Sequence, residues 1–170
     1  LSAAHCTQGV HAQDIKVALG GGHLTGLSNY TVANIFTHPG FNKTYYMDYD
    51  ASLLQLQSPV VFDECIGVVC VPPERARPTT YKECYITGWG KLAENAVAVP
   101  NELQMGRVHV TSHAVCRWQY ATLATITESM LCATGRTEGK IVDACQGDSG
   151  GPLVCKHDDA WFLHGISSFG

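Results

Sequence analysis

Apolar runs of only four to six residues, broken repeatedly by glycine, proline and asparagine, limit most strongly what this chain can fold into. Candidate strands are Ile15–Leu19, Val32–Thr37, Ser52–Leu56, Cys84–Thr87, Arg107–Val110, Pro152–Cys155 and Trp161–Ile166. Each is too short for a buried helix, and each is rich in β-branched or aromatic residues between turn formers. The pattern predicts an all-β protein. One segment, Ser112–Tyr120, reads as a helix: Ser112 can cap it, and the pairs Val115/Gln119 and Cys116/Tyr120 share faces. With 45% hydrophobic residues in 170, there is material for a sizeable core. All-β domains often run to roughly 200–250 residues, so the chain is short for a complete barrel protein. Three prolines fall within Pro72-Pro73-Glu74-Arg75-Ala76-Arg77-Pro78, which disfavours regular structure and marks a linker near 72–78. It divides residues 1–73 from 79–170. The sequence has no internal repeat and no low-complexity tract.

Charge and cysteine usage narrow the functional classes. The net charge is −4 with no long run of one sign, which argues against a nucleic-acid surface. Val17 to Asn42 lacks Asp, Glu, Lys and Arg, yet Gly20-Gly21-Gly22, His23, Asn29, Asn34 and Pro39 interrupt it. A spanning helix needs ~20 mostly apolar residues, so no membrane segment is expected here. Eight cysteines point to an oxidising compartment and a secreted, extracellular protein. Cys65 and Cys70 have the spacing of a metal pair but no second pair nearby, so no metal is expected. Asn29-Tyr30-Thr31 and Asn42-Lys43-Thr44 are glycosylation sequons, in weak agreement with secretion.

The chemistry is concentrated in Gly147-Asp148-Ser149-Gly150-Gly151-Pro152. A serine hydroxyl is a poor nucleophile. It needs a base beside it and donors aimed at the oxygen that becomes negative. Glycines around it let the backbone turn tightly and point N–H groups at a substrate. A base is available in Leu1-Ser2-Ala3-Ala4-His5-Cys6, and an orienting acid in Tyr49-Asp50-Ala51-Ser52-Leu53-Leu54. The order is His, Asp, Ser. These three segments resemble the trypsin/chymotrypsin-like serine peptidase family. For Ser149 the match runs from Asp143-Ala144-Cys145-Gln146 through Pro152-Leu153-Val154-Cys155.

The resemblance implies two antiparallel β-barrels with the active site between them, both incomplete in this chain. It also implies a serine endopeptidase acting through an acyl-enzyme. Ser149 would be the nucleophile and His5 the base and then the acid, since neutral imidazole suits proton transfer near neutral pH. Asp48 and Asp50 compete to orient the imidazole. Residues two apart on a strand share a face, so spacing does not choose between them. The family pattern, an acid before a small residue and Leu-Leu, fits Asp50, and Asp48 reads more readily as a solvated charge. The N–H groups of Gly147 and Ser149 would form the oxyanion hole. Asp148 would pair with an N-terminal amine created by zymogen cleavage. The chain is expected to be an internal piece of a longer protein, without that amine and inactive on its own.

The resemblance puts Asp143 at the base of a partly desolvated specificity slot, with Ala144 and Gln146 beside it. A carboxylate there binds Arg or Lys through charge-assisted hydrogen bonds. Ala144 stands where trypsin has serine, which removes a partner for lysine and favours arginine. Ser168, Phe169 and Gly170 belong to the substrate-binding strand. Ser168 would hydrogen-bond toward Asp50, Phe169 would form a hydrophobic wall, and Gly170 would leave the slot open. The family pairs Cys84 with Cys155 and Cys116 with Cys132, and gives Cys6 and Cys145 partners outside this chain. Cys70 resembles a cysteine that tethers a light chain. Cys65 is extra, as in acrosin-like members, or else bonds Cys70. No calcium is expected, because no Asp or Glu lies between Asp14 and Asp48. No cofactor is expected. Partners would be protein or peptide substrates, protein inhibitors and a disulfide-linked light chain. Two other classes remain: a non-catalytic homologue serving as a binding module, and a disulfide-rich structural protein.

Overall fold

A computed structural model describes residues 1–74, 76, 83–137 and 139–170. Part of the proline-rich break, Arg75 and 77–78, lies outside the described residues. The strands come in two sets. The first is β1 (Lys16–Leu19), β2 (Ser28–Thr37) and β3 (Ser52–Leu56), in the antiparallel order β1-β2-β3. The second comprises β4 (Cys84–Gly88), β5 (Gln104–Val110), β6 (Ala133–Thr137), β7 (Lys140–Val142), β8 (Pro152–His157) and β9 (Ala160–Ile166). Its order is β7-β6-β5-β4-β8-β9, with every neighbour antiparallel. The expected all-β class holds. The two barrels take the form of two sheets whose edge strands do not meet among the described residues.

Helix is scarce: a single turn, α1 (Ala4–Thr7), and α2 (His113–Gln119). The Ser112 hydroxyl accepts from the Val115 N–H at 3.4 Å, supplying the expected cap. The seven candidate strands all appear, several with longer ends. β2 begins at Ser28 rather than Val32 because its first residues pair with β1. β6 and β7 were not expected; Gly135 and Arg136 dilute the apolar pattern that signals a strand.

Cys84, Val108, Leu153 and Cys155 form the buried centre of the second sheet, with Ile86, Val110, Ala133 and Val142 packed around them. Cys84 faces Cys155 across β4 and β8 and is bonded to it, 71 residues away in sequence. Closing a loop of that length removes about 4 kcal/mol of unfolded-chain entropy on the chain-entropy account. Cys116 and Cys132 are also bonded and clasp the loop between α2 and β6.

The first sheet positions the first functional segment. Ser2 and Ser52 exchange backbone hydrogen bonds of 2.9 and 2.8 Å. Ala3 and Ala4 are fully buried, and the Ser52 hydroxyl reaches Ala3 O at 3.3 Å. Larger side chains at 3 and 4 would lift α1 off β3. The small residues before His5 therefore set how closely it approaches the start of β3, where Asp50 lies.

Candidate active site

Asp50 grips His5 from two sides. Its Oδ1 accepts the His5 backbone N–H at 2.8 Å, and its Oδ2 lies 2.6 Å from the ring Nδ1. A carboxylate at that distance accepts a hydrogen bond from Nδ1–H, which leaves the Nε2 lone pair free to accept a proton. Oδ2 also accepts the Ser168 hydroxyl at 2.5 Å. The Asp50 side chain is only 5% exposed, so these three donors replace its water.

Ser149 is exposed at the tip of a turn held by two pairs of backbone bonds. Asp148 N–H donates to Cys145 O and Gly151 N–H to Asp148 O, both at 2.9 Å. Gly150 N–H donates to Ser167 O and Ser167 N–H to Gly151 O, both at 2.8 Å. Gly150 has φ +82°, and a Cβ there would lie 2.5 Å from the Ser2 hydroxyl. Only glycine lets the serine turn sit this close to the segment that carries His5. Gly147, at φ +102°, takes the second left-handed position. Among the described residues, neither the Gly147 nor the Ser149 N–H is spent on another protein group. Ser149 Oγ makes no hydrogen bond there either, and His5 Nε2 lies 3.5 Å from the Cys6 sulfur. Catalytic hydrogen bonds in an unliganded site are often long and tighten with substrate. Burial, and then the Asp50 charge, push the Cys6 thiol up, which keeps it neutral beside the imidazole.

The Asp148 carboxylate is turned toward Gly90 and Cys145. Its oxygens accept the Gly90 N–H at 2.8 Å and the Cys145 N–H at 2.9 Å. Asp143 accepts the Ala144 N–H at 2.8 Å and is exposed, where a partly desolvated slot was expected. A cavity of about 660 Å³ runs from Asp50 past Ser168, Phe169 and Gly170 to Asp143 and Ala144. Its walls leave the carboxylate open to water. Gln146 is exposed, and its carbonyl accepts the Lys91 N–H. Phe169 meets Tyr120 edge-on at 6.1 Å and Tyr46 at 6.2 Å, which props it beside the cavity.

Cys65, Cys70, Asn29 and Asn42 take no part in this cluster. Cys65 and Cys70 are exposed free thiols, so the Cys65–Cys70 bridge is not formed; Cys6 and Cys145 are also free. Asn29 on β2 and Asn42 in the β2–β3 connection are both exposed. Among the described residues, no three His, Cys, Asp or Glu side chains gather as a metal site. No helix among them is long and apolar enough to cross a membrane.

One carboxylate departs from the sequence reading. Asp48 is 6% exposed, not solvated. It accepts the Thr127 hydroxyl at 2.6 Å and the Ser129 hydroxyl at 2.5 Å. No local pattern announces this, since the partners lie 79 and 81 residues along the chain. Burial pushes the Asp48 carboxyl up. The Ser129 and Thr127 hydroxyls, the Tyr49 N–H and the His38 charge outweigh that and hold it below its ordinary value. A depressed folded value means stability that is present above the unfolded carboxylate pKa, about 4, and lost as pH falls through the folded one. The melting temperature of Asp48→Asn should therefore sit below wild type at neutral pH and converge with it in strong acid. A constant gap over that range would contradict the assignment.

A family model described as Trypsin matches residues 1–170. Transmembrane protease serine 9 of Rattus norvegicus is 36% identical over 175 aligned residues. The alignment covers all of this chain, which spans only 16% of that relative's length.

Proposed function

Because this chain belongs to the trypsin family of serine peptidases, we propose that it is the catalytic part of an endopeptidase that cleaves after arginine, and less readily after lysine. The carrying observation is the two-sided hold of Asp50 on His5, which leaves Nε2 as the acceptor. In the proposed reaction His5 Nε2 takes the Ser149 proton as Oγ attacks the scissile carbonyl. The resulting oxyanion is met by the Gly147 and Ser149 N–H groups; losing one such donor costs on the order of 10²–10³ in turnover. His5 then returns the proton to the leaving amine. Water, activated by the same nitrogen, hydrolyses the acyl-enzyme.

Asp143 is the proposed partner of the substrate's basic side chain, and Ser168 to Gly170 the strand along which the peptide lies. The bonded pairs Cys84–Cys155 and Cys116–Cys132 support an oxidising, extracellular location. A relative named as a transmembrane protease is compatible with that location. Activity is proposed for the complete, processed protein, with proteins or peptides as substrates.

A serine-directed sulfonyl fluoride tests the reading without knowledge of the substrate. One label per molecule is expected, on Ser149, and none in His5→Ala. Labelling elsewhere, or labelling that survives loss of His5, would refute the proposed base and nucleophile.

A further inference from the structure

Asp48 is buried as the Asp50 side chain is, yet the proposed reaction gives it no task. Its Oδ1 takes both the Thr127 and Ser129 hydroxyls. The Tyr49 N–H donates to Ser129 Oγ at 3.3 Å. Thr127 is anchored in turn, because its carbonyl accepts His113 Nε2 of α2 at 2.8 Å. Thr127 and Ser129 lie in the α2–β6 connection, which the Cys116–Cys132 bond closes. The β2–β3 connection that carries Asp50 is thus tied across to the second half of the chain.

The same connection stores strain. Asn42, Met47 and Tyr49 all have positive φ, at 52°, 58° and 54°. Such residues persist only where the surroundings over-determine them, at a cost of about 1–3 kcal/mol each. Tyr49 is held on three sides. Asp48 is fixed before it, Asp50 is fixed after it by His5 and Ser168, and its ring stacks on His38 at 4.6 Å. Removing the first hold lets Tyr49 relax, and Asp50 is the next residue.

We propose that Asp48, Thr127 and Ser129 form a clasp that positions Asp50, and through it His5, against the serine turn. The proposal rests on the peptidase reading. Asp48 is a positioning residue, since it touches neither the imidazole nor the nucleophile. The clasp works by geometry rather than charge: an asparagine whose Oδ1 takes the same place still accepts both hydroxyls.

The test uses the complete, processed protein with its active sites titrated by a serine-directed probe, so that misfolded molecules are not counted. Asp48→Ala and the double variant Thr127→Val/Ser129→Ala should each lose about tenfold or more in kcat per titrated site, with KM within about twofold. Asp48→Asn should stay within about threefold of wild type. Unchanged kcat in Asp48→Ala and the double variant overturns the clasp, as does an asparagine variant as slow as the alanine one. If Asp48→Ala yields no folded protein, the double variant decides. Amide hydrogen exchange over residues 47–52 reads the same device without catalysis. It should speed up in the double variant and by much less in Asp48→Asn, and unchanged exchange in the double variant overturns the proposal. A wild-type protein that takes no label indicts the peptidase reading, while the exchange result still judges the clasp.

Discussion

Replacing Ser149 with alanine should lower kcat of the complete, processed protein by about 10⁶-fold, the scale on which a triad enzyme loses its nucleophile. The effect is large because the rest of the machinery has no other electron pair to deliver. With Oγ gone, Asp50 still holds Nδ1 of His5 and the Gly147 and Ser149 amides remain unspent, so a residual rate above that of water survives. KM on a matched peptide should change little, because the serine hydroxyl adds almost nothing to ground-state binding. Steady-state kinetics of the purified variant decide the matter. Turnover within tenfold of wild type would mean another nucleophile, and the thiol nearest the imidazole, Cys6, would be the first to examine.

Cleavage after phenylalanine should be slower than cleavage after arginine by roughly 10²–10⁴, the cost of about 3–5 kcal/mol for leaving a covered charge unpaired. Asp143 is exposed without substrate, so it is the incoming side chain that would cover it. A guanidinium then pairs with it bidentately, whereas a phenyl ring leaves it stranded. Arginine should exceed lysine by a smaller margin. Ala144 offers no hydroxyl to the ammonium, and one hydrogen bond to a charged group contributes about 1.5–3 kcal/mol, tenfold to a hundredfold. Water reaching the open carboxylate would pull that toward the lower figure. The measurement is kcat/KM on matched Arg, Lys and Phe peptides. A preference for Phe overturns the role of Asp143, and equal Arg and Lys rates overturn only the argument from Ala144.

Much of the site was legible because its chemistry is local in sequence. The turn around Ser149 needs its glycines within a few residues, and the approach of His5 needs Ala3 and Ala4 directly before it. Strands such as β3 and β4 were legible for a similar reason, since alternation and β-branching are properties of five consecutive residues. The illegible parts are those decided across the chain. Asp48 resembles any surface aspartate until Thr127 and Ser129 arrive from the α2–β6 connection. β6 and β7 are too polar to announce themselves and exist through pairing with β5 and with each other. Whether Asp143 is covered depends on which walls surround it, and nothing in Asp143-Ala144-Cys145 encodes them.

The rungs between Ser2 and Ser52 give the three proposed catalytic residues unequal independence. Histidine and its acid share one frame, so their mutual distance survives almost any movement of the molecule. The serine is carried by the turn pinned to Ser167, in the other half. Only the gap between Nε2 and Oγ is therefore left adjustable, and an error of one ångström in such a gap costs about a hundredfold in rate. A natural variant can consequently keep all three letters and still be silent. A remote substitution that rolls one sheet slightly over the other is enough, and no inspection of the reacting side chains would reveal it.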